Sequence, residues 1–458
     1  MCTRFHPVPE DQHFTNPGTM ANDAEILVSE TLEARDGRVR GWVGQPDIRG
    51  SWDIIWTSLV TIFICTFTSL CLNVPAKQDT FLTLFRRRIL WMGLAIVAPE
   101  IVLTYAAGQW SRARHSMKDF HNAGYQQWTM RMAFFADMGG FVLETVDGMS
   151  FPLNAKQLHW LVTNNHTPYP QTDVDEIWDK SKQDRFARLI RAFQVGYTVL
   201  HAIGRAAQRL AITTLELNTL GIVFCSLMTA FAWLHKPADV RMPIRIISTA
   251  TIADIIGDRP WRTTPLDFID ENGPGWALNV QPFMKMPVIP LERPIQRIPN
   301  DRFPMNPYGA QEYLLCLATL LFIAIHVAGW NLSFPTETEK VLWRVSSLIL
   351  SGVTATFWVL ETAASWIRLG RWKWLYLWVT NRSAIPDFEE ARDRKLQSEE
   401  KREPAALPLA WEFWSIATVA FLYGVARAFI IVEAFLELRD MDAAAYIHVD
   451  WSQYLPHI

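Results

Sequence analysis

No apolar h-region follows Met1, and charged residues are scattered through the first 50 positions, so no signal peptide is expected and the first apolar span must act as the insertion signal. The chain has no GxGxxG and no GxxxxGK[ST], which leaves nucleotide binding without support. Its 11 histidines form no HxxxH or HExxH pairing, and no DDxxD-like cluster is present to hold magnesium and a diphosphate. No metal ligand set and no cofactor are therefore expected. The five cysteines include no CxxC or disulfide-like spacing; Cys65, Cys71, Cys225 and Cys316 sit in apolar stretches as buried thiols without a chemical role. A net charge of -3 with no basic patch argues against nucleic acid as a partner. No internal repeat is visible, so an inverted-repeat transporter gains nothing.

What is present is apolar and aromatic. Half the residues are hydrophobic, with 21 Trp and 26 Phe, yet the mean hydropathy is only +0.06, so apolar spans must alternate with polar segments. That pattern predicts an all-α, polytopic transmembrane helix bundle with about seven to eight spanning helices. Residues 1–40 read as a flexible tail and 41–458 as a single transmembrane domain, including a proline-rich loop or cap over 238–311 and a charged loop over 368–408. Gly41 to Trp56 reads as an ordered interfacial segment leading into a helix capped by Ser51 or Asp53. Spans are expected over about 54–74, 89–108, 126–145, 192–211, 213–234, 313–334, 341–366 and 409–437. The segment 126–145 is barely apolar and by hydropathy alone reads as re-entrant. The basic loops at Arg86 to Arg88, Lys180 to Arg191, after Lys236 and over 368–402 share one side only if it crosses, which puts both termini outside the cytosol.

Several ionisable residues fall inside these spans. Glu100 follows Pro99 at the middle of WMGLAIVAPEIVLTYAAG, where a charge costs about 3 kcal/mol or more and proline removes a backbone donor. Asp137, in FFADMGGF, is flanked by Phe134, Phe135 and Phe141, which would desolvate it, while Gly139 and Gly140 let backbone or ligand approach. A carboxyl group in a dry aromatic pocket favours its protonated form and can act as a general acid, and the rings beside it can stabilise a developing cation. Glu100 and Asp137 are accordingly the candidate catalytic pair. Phe134, Phe135, Phe141, Glu216, His326, Trp358 and Glu361 are candidates for lining the substrate. Plain structural roles compete: snorkelling for Glu216 and Glu361, a satisfied core histidine for His326, interfacial belts for the tryptophans. Arg427 and Glu433 lie six apart, cannot pair along one face, and each needs a partner on another helix. Asp173, Asp175 and Glu176 resemble a DxDD proton-donor pattern but read better as the first turn of a helix.

The segments GWVGQPDIRGSWDIIW, LCLNVPA, AIVAPEIVL, FFADMGGF, DKSKQD, TTLELNTLG, HKPADV and the C-terminal stretch from Val425 to Ile458 are similar to a large family of filamentous-fungal integral membrane proteins. The resemblance covers Gly41 to Ile458 and extends to membrane-bound terpene cyclases of ascofuranone-type meroterpenoid pathways. It implies metal-free cyclisation of an epoxidised prenyl chain on a lipophilic head group, begun by protonating the epoxide, in the endoplasmic reticulum or another endomembrane. No catalytic residue carries over from it; Glu100 and Asp137 rest on the membrane argument alone. The expected partners are a lipophilic small molecule and membrane lipid, with the oligomeric state left open. The competing classes are a proton- or cation-coupled transporter or sensor, and a scaffold for other enzymes. Convergence of the buried acids on one closed aromatic pocket would favour catalysis, whereas dispersed and individually paired acids would favour a scaffold.

Overall fold

Most helices form where the apolar runs predict them, and several begin at a capping side chain, as at Thr80, Thr129, Asn154 and Thr213. The computed structural model describes residues 37–44, 48–172, 176–177, 183–270, 293–300, 310–369 and 410–451. Helix α1, Ser51–Phe67, begins where Asp53 accepts from the backbone N–H of Gly50 at 3.0 Å. Next come α2, Phe81–Val97, and α3, Pro99–Asn122, separated by Ala98 and bent by 112°. Proline at the first position of α3 lacks the N–H that would continue the α2 ladder, so the helix must stop and restart there. The later long helices are α6, Gln183–Ala207; α7, Thr214–Ala232; α9, Ala310–Ala328; α10, Glu337–Leu369; and α11, Ala410–Leu436. Among the described residues four of them, α7, α9, α10 and α11, are long and apolar enough to cross a membrane, or five with α2–α3 counted as one.

Contacts sort the helix ends into two groups. At one end the strands β1, Arg38–Arg40, and β5, Asp440–Asp442, pair antiparallel; Arg49 reaches Glu216 at the start of α7, and Arg439 reaches Glu339 at the start of α10. At the other end Arg88 of α2 meets Asp239 just beyond α7, and Arg188 of α6 donates to the carbonyl of Leu234. Six helices (α1, α6, α7, α9, α10, α11) run between these ends. The α2–α3 pair instead enters from the second end, turns at Pro99 and returns to it, because Arg112 near the far end of α3 lies against Asp137. It is a re-entrant hairpin rather than a crossing.

The second end carries a compact cap. It contains α4, Met130–Asp137; β2, Phe141–Glu144; β3, Ser150–Leu153; α5, Ala155–Thr163; β4, Ile244–Ile247; and α8, Ile252–Ile256. Strand β2 is central, antiparallel to β3 and parallel to β4. Phe120 stacks on Trp128 with ring centres 4.0 Å apart, and Phe134, Phe135, Phe141 and Phe151 complete an aromatic core. Two expectations are corrected here. The segment 126–145 does not span: its eight-residue helix is too short and gives way to a strand of the cap. The bundle is mostly helical, as expected, but not wholly so, and among the described residues seven to eight spans are not found. Parts of the 238–311 loop belong to the cap through β4 and α8, while the charged loop over 370–408 and the pair Asp173 and Asp175 lie outside the described residues.

Candidate functional site

Helix α6 shows why a cavity forms at the first end. Its outward positions are apolar, Leu189, Phe193, Leu200 and Ile203, while Gln194, Thr198, His201 and Arg205 turn inward. Apolar outside and polar inside inverts the pattern of a helix in water and suits one surrounded by lipid. Thr198, His201 and Arg205 face α1 and α7 across a cavity of about 300 Å³, at the lower limit of the roughly 300–1,000 Å³ typical of ligand sites.

Of the charged side chains in the wall, Arg49, Asp53, Arg205 and Glu216, the one that stands beside His201 is Glu216. A capping box fixes this residue: its backbone N–H donates to Thr213 Oγ1 at 3.2 Å, and its Oε2 accepts from the Thr213 N–H at 3.0 Å. Arg49 donates to Oε1 at 2.6 Å, and His201 Nδ1 stands 3.9 Å from the same oxygen. That separation is beyond a hydrogen bond, so the coupling of His201 to Glu216 is electrostatic. Neither ring nitrogen of His201 bonds to another described residue, and its ring stacks on Tyr197 at 5.9 Å. Arg205 is structural: fully buried, it donates to the carbonyls of Ala211, Ala444, Ala445 and Ile447 and fastens the C-terminal segment. On the α1 side stand Asp53, Ser58 and Thr61, with Thr61 Oγ1 3.1 Å from Thr198 Oγ1 and accepting from Gln194 at 2.8 Å. An imidazole with unclaimed nitrogens, backed by a fixed carboxylate, can take or give a proton at whatever enters.

Of the candidate site residues read from the sequence, Glu216 alone among those whose side chains are described lines this cavity. Asp137 is at the opposite end, in the cap. Its Oδ2 accepts from Arg112 Nε at 3.1 Å and its Oδ1 from the Ala155 N–H at 3.0 Å, while Arg112 also pairs with Asp270. It is held in an ion pair rather than left facing a dry pocket, and Phe134, Phe135 and Phe141 are core side chains packed beside it. Gly139 has φ +82°, and a Cβ on Gly140 would come within 2.5 Å of the Phe135 carbonyl, so the two glycines admit backbone, not ligand.

Glu100 is buried at the α2–α3 break near Tyr423, and Arg427 reaches His326 at 2.6 Å. Trp358 donates to Thr319 at 2.8 Å inside the bundle. Glu361 is on α10, with its side chain outside the described part. Arg427 finds partners on other elements, but neither carboxylate oxygen of buried Glu433 has one. The acids therefore occupy separate sites: the convergence on one pocket that would favour catalysis is not found among the described residues, and the fully paired set that would favour a scaffold is not found either, because Glu100 Oε2 and both Glu433 oxygens lack partners. The residues that sequence reasoning missed are His201, Ser58 and the pairing role of Arg49. A polar stripe at 194, 198, 201 and 205, spaced by four, three and four through the apolar C-terminal half of the helix, was the signal for the first.

A second polar group lies near the cap. Fully buried Lys236 donates to the Cys71 carbonyl at 2.6 Å and to Gln109 Oε1 at 2.9 Å, with its ammonium 4.8 Å from the Trp233 ring. Burial lowers its pKa to about 8, against the opposing pull of Cys71 and Asp137.

A family of proteins of unknown function, DUF8562, matches residues 24–257 and 311–458. The chain belongs to that family. The matched blocks contain Arg49, Glu216 and His201 of the cavity and Glu100 and Arg427 of the helix break, whereas Asp270 of the cap falls between them. No curated protein and no solved structure matches the chain.

Proposed function

We propose that the chain is a membrane enzyme that carries out acid–base chemistry on the polar part of a lipophilic small molecule held between α1, α6 and α7. The observation that carries this is the cavity itself, where His201 with unclaimed nitrogens stands beside Glu216 at the inner face of an inside-out helix. In it the polar head of an amphiphile meets Asp53, Ser58 and His201, while its apolar tail lies along the outer faces of α1 and α6. His201, as the imidazolium, gives its proton to the substrate oxygen and regains one from the cyclised cation, and Glu216, held by Arg49, stabilises the charged ring. An isomerisation fits, because it needs no second substrate. The specific form we favour is cyclisation of an epoxidised prenyl chain on a lipophilic head group in a fungal endomembrane, with the basic cap end toward the cytosol. The acid then belongs to the cavity rather than to Asp137.

One feature favours the transporter alternative: the hydroxyl and amide groups of Thr61, Thr198 and Gln194 continue the polar lining between α1 and α6. The deciding experiment is purified protein in lipid nanodiscs supplied with epoxidised prenylphenols, products being followed by mass spectrometry, with parallel flux measurements in proteoliposomes. Cyclised product that disappears in His201→Ala and Glu216→Gln, at unchanged protein level, is expected. Flux without product, or turnover unchanged in both variants, would refute the proposal.

A further inference from the structure

The α2–α3 break holds a buried acid that the cavity does not use. In a continuous helix the carbonyls of Ile96 and Val97 would accept from residues 100 and 101. Here the Ile101 N–H goes to the Ala98 carbonyl at 3.1 Å, and Arg427 of α11 takes the freed acceptors. Its Nε donates to Val97 O at 2.9 Å and its Nη2 to Ile96 O at 3.3 Å. Its Nη1 meets His326 Nε2 at 2.6 Å, and His326 Nδ1 in turn lies 3.1 Å from the Phe322 carbonyl, which makes Nδ1 the donor and Nε2 the acceptor. The guanidinium is thus committed to three neutral acceptors.

Glu100, one residue past the break, receives none of these donors. Its side chain faces Tyr423, yet neither Glu100 Oε2 nor Tyr423 Oη closes a hydrogen bond of ordinary geometry, and both atoms are buried. The ionisable groups facing this point are Cys225 on α7, His326 on α9, and Tyr423 and Arg427 on α11. A carboxylate with one oxygen left unpartnered in an apolar bundle is costly, and the neutral acid is much less so. Ionisation would make Glu100 the strongest acceptor near Arg427 and compete with the carbonyls that the arginine now clasps.

We propose that Glu100 is a proton-binding site that controls the break: protonated, it leaves Arg427 on the Ile96 and Val97 carbonyls; deprotonated, it draws Arg427 away and loosens the hairpin. The break also touches the cavity wall. Asn218 Oδ1 lies 3.5 Å from His326 Nε2, and its neighbour Thr219 lines the cavity. The site does not depend on what the cavity binds.

The test is dicyclohexylcarbodiimide, which modifies protonated carboxyls in apolar surroundings, applied to the protein in nanodiscs over a pH series with peptide mapping by mass spectrometry. The mapped peptide separates Glu100 from Glu433, the other buried unpartnered acid. Modification of Glu100 should fall as pH rises and be absent in Glu100→Gln. Hydrogen exchange over 92–104, corrected for intrinsic rate, should become severalfold faster across the same pH range in the native protein and stay slow in Glu100→Gln. Absence of modification at every pH at which the protein stays monodisperse, modification independent of pH, or exchange that does not follow it would each overturn the proposal.

Discussion

Glu216 and Asp137 are both acids held by an arginine, and they sit at opposite ends of the molecule with opposite surroundings. Glu216 is reached by one arm of Arg49, its second oxygen closes a capping box, and the space in front of it is open to a ligand. Asp137 shares Arg112 with Asp270, accepts from the Ala155 N–H, and is walled in by the aromatic core of the cap. The first arrangement leaves a charged group available; the second uses one to fasten helix α4 to the loop that carries Asp270. The chemistry of the residue type is the same in both, and the space in front of it decides the role.

The largest effect should come from breaking the cap's ion pair. Arg112→Leu leaves two largely buried carboxylates without their shared cation, which costs up to about 3 kcal/mol, the low end for a buried pair because both are partly exposed. The midpoint of thermal unfolding in detergent should fall steeply, while the folded fraction binds cavity ligands normally. Loss of ligand binding with an unshifted midpoint would make the cap, not the cavity, the functional end.

Lys236 gives a pH-dependent counterpart at the same end. Its folded pKa of about 8 lies below the ordinary 10.5, so between these values the unfolded chain binds a proton that the folded chain does not. Stability therefore rises with pH across that window, by about 3 kcal/mol at most, and this contribution is absent below about pH 8. Denaturation measured from pH 7 to 11 should show the rise relative to Lys236→Met, whose curve lacks it. Parallel curves would mean that the buried ammonium is fully compensated by Cys71 and Gln109. A smaller loss, about 1–3 kcal/mol, is expected for Gly140→Ala, because the new Cβ would meet the Phe135 carbonyl at 2.5 Å, and backbone cannot swing aside.

The helices were legible in the sequence because apolar runs and proline breaks act locally, and the cluster around the Pro99 break was announced by a carboxylate in an apolar span. The span count was not. Loop charge reports only which side a loop is on, so it fixes whether the number of crossings is even or odd. Treating the α2–α3 hairpin as a crossing forced a second, spurious crossing through 126–145; the two errors cancel, and both termini stay at the same end, as the β1–β5 pairing shows. Asp137 was misjudged because flanking phenylalanines reveal that a site is dry but not that Arg112, 25 residues earlier, points into it. Glu216 was found as an acid in a span, but its partner Arg49 lies 167 residues away, and no local pattern shows that contact.

The smallest structural effect, and the sharpest test of the contrast between the ends, is expected of His201→Ala. The ring bonds to no described residue and only stacks on the exposed Tyr197, so its removal should change stability by no more than about 0.5 kcal/mol. A residue that contributes so little to folding yet stands 3.9 Å from a fixed carboxylate at the edge of a cavity has its consequence in what the cavity does. Turnover, or ligand affinity if the protein transports, should collapse in His201→Ala at an unchanged unfolding midpoint, and Asp137→Asn should do the reverse. If both variants lower stability alike and leave activity alike, the two ends do not differ in kind, and the cavity is a packing flaw between three helices.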